Sequence, residues 1–140
     1  MVHIDIICAG RIKEAHYQAA CLEYSKRLGA FCKLSISEQP ESRPLKIPAD
    51  NTFTIALCPN GKQCTSEAFS AELWQRVDSG TSKIRFLIGG SDGLYPQDYA
   101  HADITLSLSK MTFTHAMARV LLLEQLYRAC AIRAGKKYHK

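Results

Sequence analysis

The chain has 140 residues, 46% of them apolar, and carries 18 Lys/Arg against 13 Asp/Glu for a formal charge of +5. That length supports one domain with a sizeable core, and the lack of any apolar run of about 18 residues excludes a membrane-spanning helix. The opening Met1-Val2-His3-Ile4-Asp5 lacks a basic stretch followed by an apolar one, so no secretory leader and a cytoplasmic protein are expected.

Val2–Cys8 alternates and then runs apolar, the pattern of a strand near a sheet centre. Ala9-Gly10 turns the chain into an amphipathic helix over Lys13–Leu28, with Ala15, Ala19, Leu22 and Leu28 as its apolar positions and Gly29 as its stop. Phe31–Ser37 reads as a second strand. Pro40, Pro44 and Pro48 then forbid a helix interior or a central strand across Glu38–Asn51. That stretch is expected to be a loop, too short to divide the chain into two domains. Thr52–Leu57 is a buried-type strand. A helix capped by Thr65 or Ser66 follows, with Phe69, Leu73 and Val77 on its stripe and Gly80 beyond its end. Lys83–Ile88 completes a βαβ unit with a parallel pair. After a glycine-rich turn, Pro96 opens a short helix through Ala102, Asp103–Leu108 returns as a strand, and Thr114 to Ala134 forms the longest helix, closed by Gly135. The order β-α-β-β-α-β-α-β-α defines a layered α/β fold in one domain, 1–140.

The six cysteines (Cys8, Cys21, Cys32, Cys58, Cys64, Cys130) include no CxxC and no zinc-finger spacing. They are read as reduced, mostly buried thiols without a metal. The charge is uneven. Arg119, Arg128, Arg133, Lys136, Lys137 and Lys140 face one acid, Glu124, in the last 22 residues, while the rest of the chain balances. A basic block on a neutral domain fits a polyanionic partner, nucleic acid before membrane; it equally fits a solvated tail. Val120-Leu121-Leu122-Leu123 is apolar on every face of the last helix for a full turn. A surface helix needs only one such stripe, so a second subunit is expected to cover it, in a two-fold homodimer.

Two turns stand out for chemistry. Gly89-Gly90-Ser91-Asp92-Gly93 follows a parallel strand, where glycines let a ligand approach free N–H groups; a plain tight turn explains the same residues. Neither GxGxxG nor GxxxxGK[ST] occurs, which removes the dinucleotide and P-loop signatures. The second turn, Leu108 to Phe113, also follows a strand, and if the two strands are neighbours the turns form a crevice. His115 and Arg119 share a helix face just beyond it, although His115 could simply make a local hydrogen bond at the helix start. The tail Gly135-Lys136-Lys137-Tyr138-His139-Lys140 mixes an aromatic, an imidazole and cations, the set needed to stack a base, hold phosphates and move a proton.

IGGSDGL (88–94), LSKMTFTHAMARVLLLEQLYRA (108–129) and GKKYHK (135–140) resemble the RlmH family of the SPOUT methyltransferase superfamily. Residues 7–29 and 54–62 are similar too, and the likeness spans nearly the whole chain outside Glu38–Asn51. The resemblance implies S-adenosylmethionine-dependent methylation of N3 of a pseudouridine in the helix-69 loop of large-subunit ribosomal RNA, acting on the ribosome, with assembled 70S as the expected form. It also implies a mainly parallel sheet flanked by helices, a C-terminal trefoil knot and a homodimer. Carried onto this sequence, the cofactor contacts fall on Leu57, Gly89, Leu108, Ser109, Lys110, Met111, Thr112 and Phe113. His139 is the candidate base or N3 partner, Tyr138 stacks or orients the base, and Arg128, Arg133, Lys136 and Lys137 hold phosphates. Thr114 stands where the family commonly has Pro. Glu38–Asn51 is shorter than in relatives, and the missing part is expected to lie away from the cofactor loops. The alternative is a non-catalytic RNA-binding dimer, which would keep the basic tail but need no glycine-lined crevice.

Overall fold

The computed structural model describes Met1–Lys140. The elements are β1 (His3–Ala9), α1 (Ala15–Leu28), β2 (Lys33–Gln39), β3 (Phe53–Lys62), α2 (Ser66–Asp78), β4 (Lys83–Ile88), α3 (Pro96–Tyr99), β5 (Ile104–Leu106) and α4 (His115–Arg133). The strands form one all-parallel sheet in the order β2-β1-β4-β3-β5. Parallel sheets are stable when both faces are covered, which selects continuous apolar strands; Ile84 to Ile88 is buried at every position.

One face carries Ile4, Ile6, Cys8, Ile55, Ile84, Phe86 and Ile88 and packs against α1, α2 and α4. The other carries Ile7, Ala9, Ala56 and Leu87 and packs against Leu45, Ile47, Leu94 and Tyr99. The proline-rich segment therefore does more than connect β2 to β3: it crosses back over the second face and covers it, with Leu45 buried. Its far end is fixed by Asp50, whose carboxylate accepts from Arg85 Nη1 and Nη2 at 3.1 and 2.9 Å, while Arg85 Nε donates to Asp5 at 3.0 Å.

Several element boundaries and faces differ from the sequence reading. On α1 Leu28 is buried as expected, but Leu22 is 71% exposed, and the rest of the inward side is Tyr17, Cys21 and Tyr24. Tyrosines can bury the ring and keep the hydroxyl wet, so a stripe read from aliphatics alone misses that face. β2 ends two residues later than expected, and β3 runs on to Lys62 through an irregularity after Leu57. β5 and α3 are each shorter than read. β4 and β5 are not neighbours, because β3 lies between them.

Helix α4 begins and ends within a residue of expectation, and Thr114 caps it by accepting from the Met117 N–H at 3.3 Å. Part of its apolar turn is covered within the chain. The helix lies between α1 and α2 on the sheet, which buries Leu122, Leu123 and Leu126 within the chain. Trp74 Nε1 and Ser70 Oγ donate to the Ala129 carbonyl at 2.9 and 3.2 Å and tie α2 to it. Only its outer edge, including Met117, Val120 and Leu121, remains half-exposed. No helix is long and apolar enough to cross a membrane.

Candidate active site

The carboxyl ends of β4 and β5 and the irregular stretch of β3 after Leu57 open on one cleft of about 320 Å³, within the size range of small-ligand sites. Leu57, Cys58 and Pro59 form one wall, Ile88 to Leu94 a second, and Leu108, Ser109, Met111, Thr112 and Phe113 a third. Gly89 and Met111 thus lie on the same cleft even though β3 separates their strands. Tyr99 from α3 and His115 and Ala118 from α4 complete the lining. Of the eight residues proposed for the cofactor, seven line this cleft; Lys110 is exposed and points outside it. Asp92 is the one side chain of the lining with a fixed charge, and no lysine or arginine faces in.

Both rims are held by short-range bonds. Gly93 N–H donates to the Gly90 carbonyl at 3.0 Å, with Gly93 at φ +84°. In the third wall, Ser107 Oγ donates to the Ser109 carbonyl at 2.8 Å and Ser109 Oγ accepts from the Met111 N–H at 3.0 Å. Such local serine bonds fold a loop without help from a sheet or helix. The Tyr99 phenol is pushed up to about 12 by burial and by its bond to Cys58, so it stays neutral and serves as a hydrogen-bond group.

The segment Glu38–Asn51 reaches this site. Glu41 Oε1 accepts from the Ser91 N–H at 2.6 Å and from Ser91 Oγ at 3.0 Å. Arg119, paired with His115 in the sequence reading, turns inward instead: Nη1 bonds Glu38 Oε2 at 2.8 Å and Nη2 reaches the Gly10 carbonyl at 3.4 Å. It clasps the ends of β1 and β2. His115 Nε2 lies 3.4 Å from the Arg11 carbonyl, 104 residues away, so its hydrogen bond is long-range rather than the local one weighed for it, and the ring also lines the cleft.

The tail residues gather elsewhere, on the outer side of α2 and α4. Arg128 is bidentate on Glu124 Oε1 (Nε 2.9 Å, Nη2 2.6 Å), and its Nη1 donates to His139 Nδ1 at 3.0 Å. His139 Nε2 bonds Glu67. Arginine can only donate, so Nδ1 is the acceptor and the proton sits on Nε2. Both ring nitrogens are therefore engaged. The Tyr138 ring stands edge-on to Tyr127 at 4.8 Å with the Arg128 guanidinium 4.9 Å from its centre. Burial and a bond to Tyr24 push its phenol up to about 12. Arg133 pairs with Asp78 at 2.8 Å, Lys136 lies 5.0 Å from the centre of the Phe31 ring, and Lys137 is exposed. Cys8, Cys21, Cys32 and Cys130 are buried free thiols, Cys58 is half-buried and Cys64 exposed.

Sequence reasoning did not name Cys58 and Pro59, which directly follow the predicted Leu57, and it missed Tyr99 in the cleft and Glu41 and Glu67 beside the two clusters. Tyr99, Glu41 and Glu67 meet Cys58, Ser91 and His139 across tens of residues, which no short pattern records.

An all-parallel α/β sheet with helices on its faces and a ligand cleft across three of its strands is the architecture of one class of methyltransferase. The family model described as predicted SPOUT methyltransferase matches residues 2–139. Among solved structures, a probable methylase family protein from Haemophilus influenzae has a TM-score of 0.59 at 14% identity, over 99% of this chain and 70% of that one. TrmJ from Z. mobilis gives 0.58 at 16% identity, over 92% and 70%. At such identities the likeness speaks for the fold alone. Curated relatives named ribosomal RNA large subunit methyltransferase H are much nearer. The one from Bifidobacterium adolescentis is 45% identical, over 98% of this chain and 99% of its own; one from Clostridium botulinum is 43% identical over 99% and 100%. The chain belongs to the SPOUT methyltransferases and, within them, to the RlmH family. It is an enzyme of that family rather than a non-catalytic RNA-binding dimer. The alignments extend over 157 and 159 positions, so these relatives carry residues that the 140 of this chain lack.

Proposed function

We propose that this chain, as one SPOUT domain over residues 1–140, is a cytoplasmic homodimer that methylates N3 of a pseudouridine in the helix-69 loop of large-subunit ribosomal RNA. Its substrate is the ribosome, in the assembled 70S form, and its methyl donor S-adenosylmethionine, held by Leu57, Gly89 and the Leu108–Phe113 run. The carrying observation is the single cleft that joins those three segments, together with family membership. A cleft whose only fixed charge is Asp92 suits a cationic ligand, and the backbone groups of these three segments suit an adenosyl group. When bound, the cofactor supplies a methyl group already activated by its sulfonium.

The protein's share is orientation, worth up to ~7–11 kcal/mol in such reactions, and management of the N3 proton. His139 is the candidate for the second task and Tyr138 for stacking or orienting the base, but both sit beside Arg128. His115 at the cleft and Arg128 are thirteen residues apart on α4, about 20 Å at 1.5 Å per residue. One subunit's tail is thus far from its own cleft. A two-fold pairing along the outer edge of α4 runs the helices antiparallel and brings each tail toward the partner subunit's cleft. Met117, Val120, Leu121 and the 38%-exposed Phe113 supply the apolar surface for it.

In that arrangement Arg128 has a second role. While it donates to Nδ1, His139 has no free lone pair. A phosphate that draws Arg128 away frees Nδ1, with Glu67 still holding the Nε2 proton, and His139 becomes able to accept the N3 proton. Arg133, Lys136 and Lys137 hold neighbouring phosphates. The trefoil knot is part of the same reading. From β5 at the sheet edge to His115 beside Arg11, residues 107–114 must pass the ends of β3 and β4, and a pass beneath the 89–95 turn closes the knot.

The test is His139→Ala assayed for methyl transfer on 70S ribosomes lacking the modification. A general base contributes ~10²–10⁴-fold, so the rate should drop about a hundredfold or more with S-adenosylmethionine affinity unchanged. Near-normal turnover would remove His139 from the mechanism.

A further inference from the structure

We propose that Glu41 is a positioning residue of the cofactor site: its carboxylate fixes the glycine turn in the shape that forms one wall of the cleft. The inference rests on the reading that this cleft holds S-adenosylmethionine. Glu41 lies in the proline-rich segment, which nothing in the motif pattern connects with the cleft.

Four bonds staple this segment to the turn and the helix behind it. Ser91, at the tip of the turn, gives both its N–H and its hydroxyl to Glu41 Oε1 at 2.6 and 3.0 Å. Tyr95, at the base, donates its hydroxyl to the Glu41 carbonyl at 2.9 Å. Four residues on, the Leu45 N–H donates to Asp98 Oδ1 at 2.8 Å, and Asp98 Oδ2 accepts from the Tyr95 N–H at 2.9 Å. The turn is thus held at tip and base by one short stretch of chain.

The Glu41 side chain also explains two glycines. It runs between the turn after β1 and the turn after β4. A Cβ on Gly90 would meet Glu41 Oε1 at 2.0 Å, and one on Gly10 would meet its Cγ at 2.9 Å. Gly10 additionally sits at φ +84°, where other residues are strained. A Cβ on either glycine would push the Glu41 side chain aside and pull its carboxylate off Ser91, so both strand-end turns leave room for this contact. The serine bonds hold the Glu41 carboxyl below the usual carboxylate range, so it is ionised, and a strong acceptor, at neutral pH.

The test compares S-adenosylmethionine binding by calorimetry in the wild-type protein, Glu41→Ala and Glu41→Gln, with amide exchange over residues 89–95 and thermal melting alongside. Loss of the charged acceptor of both Ser91 bonds should make Glu41→Ala bind S-adenosylmethionine roughly tenfold more weakly. Exchange at 89–95 should rise, while the KM for ribosomes stays unchanged. Glu41→Gln keeps an oxygen that accepts the Ser91 N–H and should recover most of the affinity. Glu41 is exposed, so the variants fold. If the wild type binds and Glu41→Ala binds equally well, the proposal is wrong. If the wild type itself does not bind, the functional reading of the cleft fails instead.

Discussion

Replacing Arg85 by Met tests whether the proline-rich segment is held on the sheet by charge. Arg85 is 1% exposed and makes three hydrogen bonds to two carboxylates. Methionine keeps much of the apolar stem and removes the guanidinium. Asp5, 14% exposed, is left beside an apolar side chain, whereas Asp50, 36% exposed, recovers water. Removing one partner of a fully buried pair costs ~3–5 kcal/mol, and the rehydration of Asp50 lowers that to about 2–3 kcal/mol. With a urea slope of about 2 kcal/mol per molar, the midpoint should fall by roughly 1–1.5 M at unchanged slope. Equilibrium urea unfolding at pH 7 measures this directly. Adding Asp5→Asn and Asp50→Asn to Arg85→Met should recover much of the loss, because the uncompensated charges are then gone. A midpoint unmoved by Arg85→Met, or raised, would refute the reasoning: the ion pair would merely break even with an apolar contact.

Two further outcomes follow from the same coordinates. Bonding to Arg85, and then to Thr52, holds the Asp50 carboxyl far below its unfolded value. A depressed carboxyl stabilises the fold above its unfolded pKa, about 3.9, and loses that contribution as pH falls toward the folded value. Urea midpoints should therefore drop more between pH 5 and pH 3 in the wild type than in Asp50→Asn; parallel losses would contradict the link. Leu121→Asp places a charge on the outer edge of α4 without entering the core. Light scattering should report a monomer with methyl transfer largely lost, and a dimer of normal activity would move the interface elsewhere.

How much of this was legible from the sequence follows from which interactions are local. β4 and α4 announce themselves because continuous apolar runs and capping residues such as Thr114 are written in adjacent positions. The cleft was legible because Gly89 and Met111 both follow strands, and parallel topology puts all such ends on one side. The insertion of β3 between β4 and β5 was not, since strand order leaves no mark in the periodicity. The same holds for the α1 face: Tyr17 and Tyr24 do the packing that Leu22 seemed to promise. The all-round apolar turn in α4 invited a second subunit, and burial within the chain accounts for Leu122 and Leu123 while leaving Val120 and Leu121 half-exposed. Glu41 and Glu67 meet Ser91 and His139 across 50 and 72 residues, and no short pattern encodes such pairs.

The most direct measurement is transfer of tritiated methyl from S-adenosylmethionine to ribosomes lacking the modification, followed by mapping of the labelled nucleotide. Label on N3 of a helix-69 pseudouridine in large-subunit RNA, abolished by Gly89→Val, whose side chain would collide with the Gly93–Leu94 backbone of the cleft wall, is the result expected. Label on another RNA position, or undiminished label in Gly89→Val, would contradict the assignment of this cleft and of its substrate.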